Sequence, residues 1–592
     1  MLNDAAPTSL RARLFWGGLG LVSVSFHLWL IFSGLISNLV SRPLHMALAL
    51  PWVFVFAAKT NTARITGAVF ASVGVAACLY IVFNESALSD QYGSLEGPMQ
   101  RAVAGALIII TLEMARRAIG WPLPLVATIA VTYGLFGEYL PGEFGHGGLP
   151  LDSFLGTMTI AEGGLWGSLT GVSVSIVSIF VIFGAALNAG EAGDGFMNVA
   201  TAAAGRLKGG AAKVSVISSA LFGSISGSAS ANVASTGAIT LPTMTKLGYP
   251  RSLAGAVEAV ASSGGQIMPP LMGAGAFVMV ELTGTPYTGI MAAAFLPALL
   301  YFLTVWVGIN AYAGRYDLQG MSKDQHPATR DVIVTSLFFA VPFLVLIERM
   351  FIGGFTPQYA ACMAILTVVP LLFFDARLNF SLARAFARFE KIFLTSGRQI
   401  SMIASIILCA SLVIGVLGQT GLGVKITSLI LSAAGDQLWP ALLLTALACM
   451  VLGMEVPTTA AYVICVSVAG PALQQLGLEP LIAHLFVFWF ALLSTITPPV
   501  CGAVFIAAGM VEENWLKVAV VAMALGVGLY LIPLGMIANP DIIALASNLP
   551  MALVAFAKIG IALAAVSYGA ITHRAIIQRV ALIAGGLGLL FV

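Results

Sequence analysis

The stretch SISGSASANVASTG, residues 224–237, decides the fold, together with SSGGQIMPPLMGAGAF at 262–277. Both sit inside long apolar runs. Small polar residues at that depth cannot face lipid, because the backbone groups of a turn need partners there. A turn is tolerated only where protein buries it or where it lines a wet cavity. A hairpin tip of this kind exposes the N–H groups of a helix N-terminus, which attract anions. In the second stretch Gly264, Gly265 and the prolines at 269 and 270 break a helix, and proline leaves upstream carbonyls free. Such carbonyls, with Ser, Thr and Asn oxygens, are hard ligands suited to a small cation such as Na⁺.

The same unit occurs twice. LGMEVPTTAAY (452–462) is followed by LLSTITPPVCGAVF (492–505). Gly227 precedes Pro269 by 42 residues, and Pro457 precedes Pro498 by 41. Upstream, GDGFMNVATAAAG (193–205) resembles TGLGVKITSLILSAAG (420–435) at nearly the same offset. Loop parity brings the first hairpin in from one side and the second from the other. An inverted repeat with interrupted helices is the signature of a secondary transporter.

Composition agrees. Of 592 residues, 59% are hydrophobic and 9% charged, against about 25% charged in a soluble domain. That balance excludes a cytosolic enzyme, a nucleic-acid binder and a disordered scaffold. The apolar runs are continuous rather than alternating, which argues against a β-barrel. Runs of about 20 residues, the length that crosses a bilayer, lie near 14–38, 44–58, 66–83, 102–118, 122–140, 168–188, 288–313, 332–348, 358–374, 399–418, 516–536 and 551–571. Arg11 and Arg13 precede the first, which reads as a span with its N-terminus inside rather than a signal peptide. Lys59, Arg64, Arg116, Arg117, Arg206, Lys208, Lys213, Lys246, Arg251, Arg315, Lys323 and the set Arg377, Arg384, Arg388, Lys391 and Arg398 then fall on the inner side. The segment 375–398 mixes Arg with Phe and Leu at helical spacing and reads as an amphipathic helix on the inner surface, separate from the span after it. The final run, 580–592, is short for a full crossing. The six cysteines lie in apolar segments without a CxxC, and no transition-metal ligand set is recognised. No GK[ST] phosphate loop is present, so energy is expected from an ion gradient.

At these motifs the sequence resembles the fused small-plus-large membrane subunit of a TRAP (tripartite ATP-independent periplasmic) transporter, of the type that works with TAXI binding proteins. FGSISGSASANVASTG, EAVASSGGQIMPPLMGA, VPTTAAY and LSTITPPV carry the resemblance. It implies an all-α polytopic membrane protein, an inverted-repeat elevator with two re-entrant hairpins and two broken helices. Residues 1–145 would be the small-subunit-like scaffold of four helices plus a connecting helix. Residues 146–540 would be the large subunit, with repeats near 168–313 and 399–536, and 541–592 the C-terminal helices. A periplasmic binding protein would deliver a small carboxylate, with Na⁺ as the coupling ion, a proton as the alternative, and no cofactor. The setting would be the bacterial inner membrane, the bilayer and not nucleic acid the other partner, and the state monomeric.

Carried over by motif, the resemblance places substrate at Ser226, Ser228, Asn232, Thr458 and Thr459. It places the cation at Ser226, Asn232, Gly264, Gly265, Pro269, Thr495, Thr497 and Pro498, with carbonyls near Gly265 and Thr495 as ligands. Glu455 departs from the family pattern at a tip, and an acid at membrane depth is a functional candidate. Glu455 and Glu258 are the coupling candidates, Glu258 equally as a hydrogen-bond anchor for the hairpin. Glu113 reads as paired near the inner face, and His484 as packed and neutral. A stand-alone carrier or ion channel is the rival reading, and an intramembrane enzyme a more distant one. Saturable, binding-protein-dependent uptake separates the first from open-pore flux.

Overall fold

The computed structural model describes residues 9–435, 437–453, 457–498 and 501–592. Every named secondary-structure element among them is helical, and nine helices are long and apolar enough to cross a membrane. The chain is a polytopic α-helical membrane protein.

The helices Leu10–Phe32, Asn38–Pro51, Asn61–Phe83, Gly97–Ile119 and Pro122–Phe136 form the N-terminal part. Ser9 and Thr60 cap two of them by accepting the Ala12 and Ala63 N–H groups. The first span, expected to run to 38, ends at Phe32, and the second begins at Asn38 rather than 44. That helix carries Arg42 within it because the guanidinium donates to the Trp166 carbonyl. Glu113 is paired with Arg116 (2.6 Å) and Arg117 (2.7 Å), as its sequence position suggests.

Two repeats follow. In the first, Ala192–Ala204 leads to the hairpin Gly210–Ser226 and Ala229–Lys246. The broken helix Arg251–Gly264 and Ala274–Thr283 comes next. In the second, Leu422–Ala434 leads to the hairpin Leu438–Leu452 and Thr458–Gln475, then to Pro480–Leu493 and Gly502–Val511. The halves of each broken helix have 14 and 10 residues in both copies, and both leading helices have 13. Arg251–Gly264 packs against Gly502–Val511, and Pro480–Leu493 packs against Ala274–Thr283. The first half of each broken helix therefore meets the second half of the other, so the two run antiparallel. Each hairpin's second arm likewise packs on the second half of the opposite broken helix.

One expectation is corrected. Residues 382–398 do not form a separate surface helix. They are the first part of a single 39-residue helix, Leu382–Thr420, which runs on through the span expected at 399–418. Residues 375–381 form a tight turn closed by a bridge between Phe374 and Phe380. No proline interrupts 382–420, and the charged residues of its first turns are paired: Arg384 with Asp375 at 3.0 Å, Arg388 with Glu191, and Glu390 with Arg13, which donates to it at 2.7 Å. Charge is thus carried along a continuous helix instead of ending it. This helix packs on Leu10–Phe32, Gly97–Ile119, Pro122–Phe136 and Ser178–Ala189, joining the N-terminal part to the repeats. Beyond the second repeat, Leu549–Ile571 and Ile576–Phe591 pack on each other.

Candidate functional site

The described residues flanking the turns and breaks of both repeats meet. Gly227 ends the first arm of hairpin one in the left-handed region, φ +58°, its N–H reaching Gly223 O at 3.1 Å. Ser228 starts the next arm as its N-cap, accepting the Ala231 N–H at 3.3 Å. Gly227 lies against the Met272 carbonyl and Gly273 in the first break. Thr458, first residue of the second arm of hairpin two, donates to Gln266 Oε1 in that same break at 2.8 Å. Thr495, in the second break, donates to Ser263 Oγ at the end of Arg251–Gly264, also at 2.8 Å. Ser230 faces Gly502, where the second broken helix resumes.

The polarity of this meeting point follows from helix direction. Four helices begin there: Ala229–Lys246, Ala274–Thr283, Thr458–Gln475 and Gly502–Val511. Four end there: Gly210–Ser226, Arg251–Gly264, Leu438–Leu452 and Pro480–Leu493. Starting helices present N–H groups and partial positive charge, and ending helices present carbonyls and partial negative charge. One place can therefore hold an anion and a cation without a formally charged side chain.

The candidate residues distribute as follows. Ser226 is half-buried, and its hydroxyl is buried without a hydrogen-bond partner among the described residues. Asn232 is fully buried and faces the other arm of its own hairpin, where its amide donates to Ser219 O at 2.9 Å; its Oδ1 lies 3.3 Å from the Thr236 hydroxyl one turn on. Gly264 and Gly265 are buried. A Cβ on Gly265 would sit 2.6 Å from Gly223 Cα and 2.9 Å from Asn232 Nδ2, so only glycine lets hairpin and break touch here. The Gly265 carbonyl accepts from Met268 N–H at 3.4 Å and the Thr495 carbonyl from Ala503 N–H at 3.2 Å, each keeping a second lone pair. Pro269 and Pro498 are half-buried, as is Thr459. The carbonyls of Pro270 and Leu271 accept from the Tyr287 hydroxyl at 2.6 and 2.8 Å. Thr497 bonds Tyr530 at 2.7 Å. Glu258 is fully buried among hydroxyls of its own helix and both arms of hairpin one. His484 is buried and bonds the Tyr462 hydroxyl at 2.8 Å. Glu455 lies outside the described residues.

Sequence reasoning passed over Gln266, Ser263 and Tyr530. Gln266 carried a signal: it is the one amide side chain in the broken segment 262–277. Tyr530 carried none, since it lies on another helix and reaches the site only in three dimensions.

The family model described as "Tripartite ATP-independent periplasmic transporter, DctM component" matches residues 106–551. The chain belongs to the TRAP transporter family, as its DctM component. It is thus a multi-pass membrane component of a secondary transporter, in a family that works with a periplasmic binding protein. All four motifs of the hairpins and breaks fall inside the matched residues, and the helices Leu10–Phe32, Asn38–Pro51 and Asn61–Phe83 fall before them. The solved Alcanivorax borkumensis YdaH transporter is similar at 15% identity and TM-score 0.49, over 72% of this chain and 96% of that one. The curated proteins give no match.

Proposed function

We propose that this TRAP component takes up a small organic carboxylate, delivered by a periplasmic TAXI-type binding protein, and couples uptake to Na⁺. The observation that carries the reading is the meeting, among the described residues, of helix ends from both hairpins and both broken helices, tied by Thr458 to Gln266 and Thr495 to Ser263. Helix N-termini there suit a carboxylate, and helix C-termini with the Ser226 hydroxyl, unpartnered among the described residues, suit Na⁺. The hairpins and broken helices move as one elevator unit. The scaffold comprises the N-terminal helices as a fused small subunit, with Leu382–Thr420 and the helices around it. The N-terminus faces the cytoplasm, as the basic loops require, and the chain works as a monomer.

Reconstitution tests this. The full chain in liposomes, with candidate periplasmic binding proteins, is offered labelled 2-oxoglutarate and glutamate under separate Na⁺ and proton gradients. Saturable uptake that needs both binding protein and Na⁺ is the expected result. Uptake without any binding protein would overturn the tripartite reading in favour of a stand-alone carrier, and unsaturable flux would favour a channel.

A further inference from the structure

Glu258 has 0% exposure, and no lysine, arginine or histidine among the described residues pairs with it. Four hydroxyls surround it. Ser215, on the first arm of hairpin one, donates to Oε2 at 2.7 Å. Thr236 and Thr240, on the second arm, reach Oε1 and Oε2 in short contacts. Ser262, one turn on, reaches Oε1 at 3.3 Å. An ionised carboxylate has about four acceptor positions, and all are filled. The charged groups on the packed elements are engaged elsewhere or stand at helix ends. Lys213 lies over the Trp306 ring at 4.9 Å, Arg251 faces Glu512, and Lys517 pairs with Glu513. Lys246 and Arg315 occupy the last turns of their helices.

The cluster also has an outlet. A cavity of about 430 Å³ lies at the open end of hairpin one, lined by Asn198, Thr201, Thr240, Thr243, Asp324 and His326 among others. That volume is many times the ≈ 30 Å³ share of a water in the liquid. Thr240 lines the cavity and bonds Glu258, and His326 Nε2 is buried without a hydrogen-bond partner among the described residues. On the other side the Thr236 hydroxyl lies 2.8 Å from Asn232 O, the acceptor open to it when it does not donate to Glu258, and the Asn232 amide donates to Ser219 O at 2.9 Å beside Gly223 and Gly265. A hydrogen-bonded chain thus runs from the cavity, through Glu258, to the meeting of hairpin and break.

We propose that Glu258 is a proton-binding site, loaded and emptied through this cavity from the cytoplasmic face, and that it carries a second coupling ion beside Na⁺. The inference rests on the transport reading and the orientation given above. A proton suits the site better than a metal cation. The hydroxyls touch the carboxylate directly and leave no central gap for an ion, whereas a proton needs only that one O–H···O bond reverse. Thr236 and Thr240 permit the reversal. Each has a backbone carbonyl four residues back, at 2.8 and 3.0 Å, to take its proton when the protonated carboxyl donates to it.

The test needs neither substrate nor binding protein. The full chain, uniformly oriented in liposomes, is stepped between about pH 4 and about pH 9, a range spanning ordinary carboxyl and imidazole titration. Infrared difference spectra follow the protonated carboxyl band. A titrating band that disappears in Glu258→Gln is expected. Thr240→Val should slow its response to a cytoplasmic pH step at least tenfold, and Ser262→Ala, which removes a hydroxyl away from the cavity, should not. If Glu258→Gln does not fold, a changed band position in Thr240→Val and Ser262→Ala serves in its place. Absence of any Glu258-dependent titration would overturn the proton site, and equal slowing in both hydroxyl variants would overturn the route. Failure here leaves Na⁺-driven uptake standing, and failure of uptake leaves this titration intact.

Discussion

Thr458 and Gln266, 192 residues apart, share a hydrogen bond of 2.8 Å between the second hairpin and the break in the first broken helix. The bond crosses between the repeats, and so does the one from Thr495 to Ser263. Neither repeat completes the site by itself.

Sodium should stabilise the folded chain specifically. A ligand at 100 times its Kd adds about 2.7 kcal/mol. Thermal unfolding in detergent should therefore shift upward in NaCl relative to KCl at equal ionic strength. Ser226→Ala, which removes a hydroxyl with no partner among the described residues, should reduce the shift while leaving the midpoint in KCl nearly unchanged. An equal shift in both proteins would remove Ser226 from the cation site.

Gly265→Ala should destabilise by about 1–3 kcal/mol, the usual cost of overpacking. The added Cβ meets backbone at Gly223, 2.6 Å away, rather than a side chain that can turn aside. Gly418→Ala, in the long helix with nothing within 4 Å, is the control, and should be neutral or stabilising by up to about 1 kcal/mol. Unfolding midpoints of the two variants check this directly.

Arg388 and Arg13 should differ in importance although both pair with a glutamate. Arg388 is half-buried, bonds the Leu372 and Phe374 carbonyls and pairs with Glu191. Arg388→Leu leaves that glutamate unpaired and should cost about 2–4 kcal/mol. Arg13 is exposed, and Arg13→Leu should change the unfolding midpoint little.

The turn at 375–381 should weaken in acid. Backbone N–H of Asn379, then its side chain, Arg377 N–H and Arg384 hold the Asp375 carboxyl below its ordinary value of 3.8. A carboxyl depressed on folding contributes stability that is present above its unfolded pKa and is lost as pH falls through the folded one. Asp375→Asn should therefore be less stable than wild type at neutral pH, with a flatter loss below about pH 4. Parallel profiles for the two proteins would show that Asp375 contributes nothing.

The fold was legible because its determinants are local. Gly227, the polar run around it and the paired prolines stand out against an apolar background, and their repetition gave the antiparallel arrangement. The continuity of Leu382–Thr420 was not legible, since basic residues at helical spacing read as a surface helix until Arg13 and Glu191 are seen to pair with it. Two histidines unrelated in sequence, His27 and His45, bond at 2.8 Å, and His45 reaches Ser173 at 3.0 Å, linking the N-terminal helices to the first repeat. No spacing signalled that contact. Within the site, residue type suggested Ser226 and Thr495 and marked Gln266 as the one amide in its break, whereas Tyr530 became a candidate only through its contact with Thr497 on another element.

The most direct measurement is a double-mutant cycle on uptake, with wild type, Gln266→Leu, Thr458→Val and the double variant assayed at saturating binding protein under a Na⁺ gradient. The predicted result is a loss of about tenfold in each single variant, equivalent to about 1.4 kcal/mol, and a double variant no worse than the weaker single. Single variants that transport like wild type, or losses that multiply in the double, would contradict a single site shared by the two repeats.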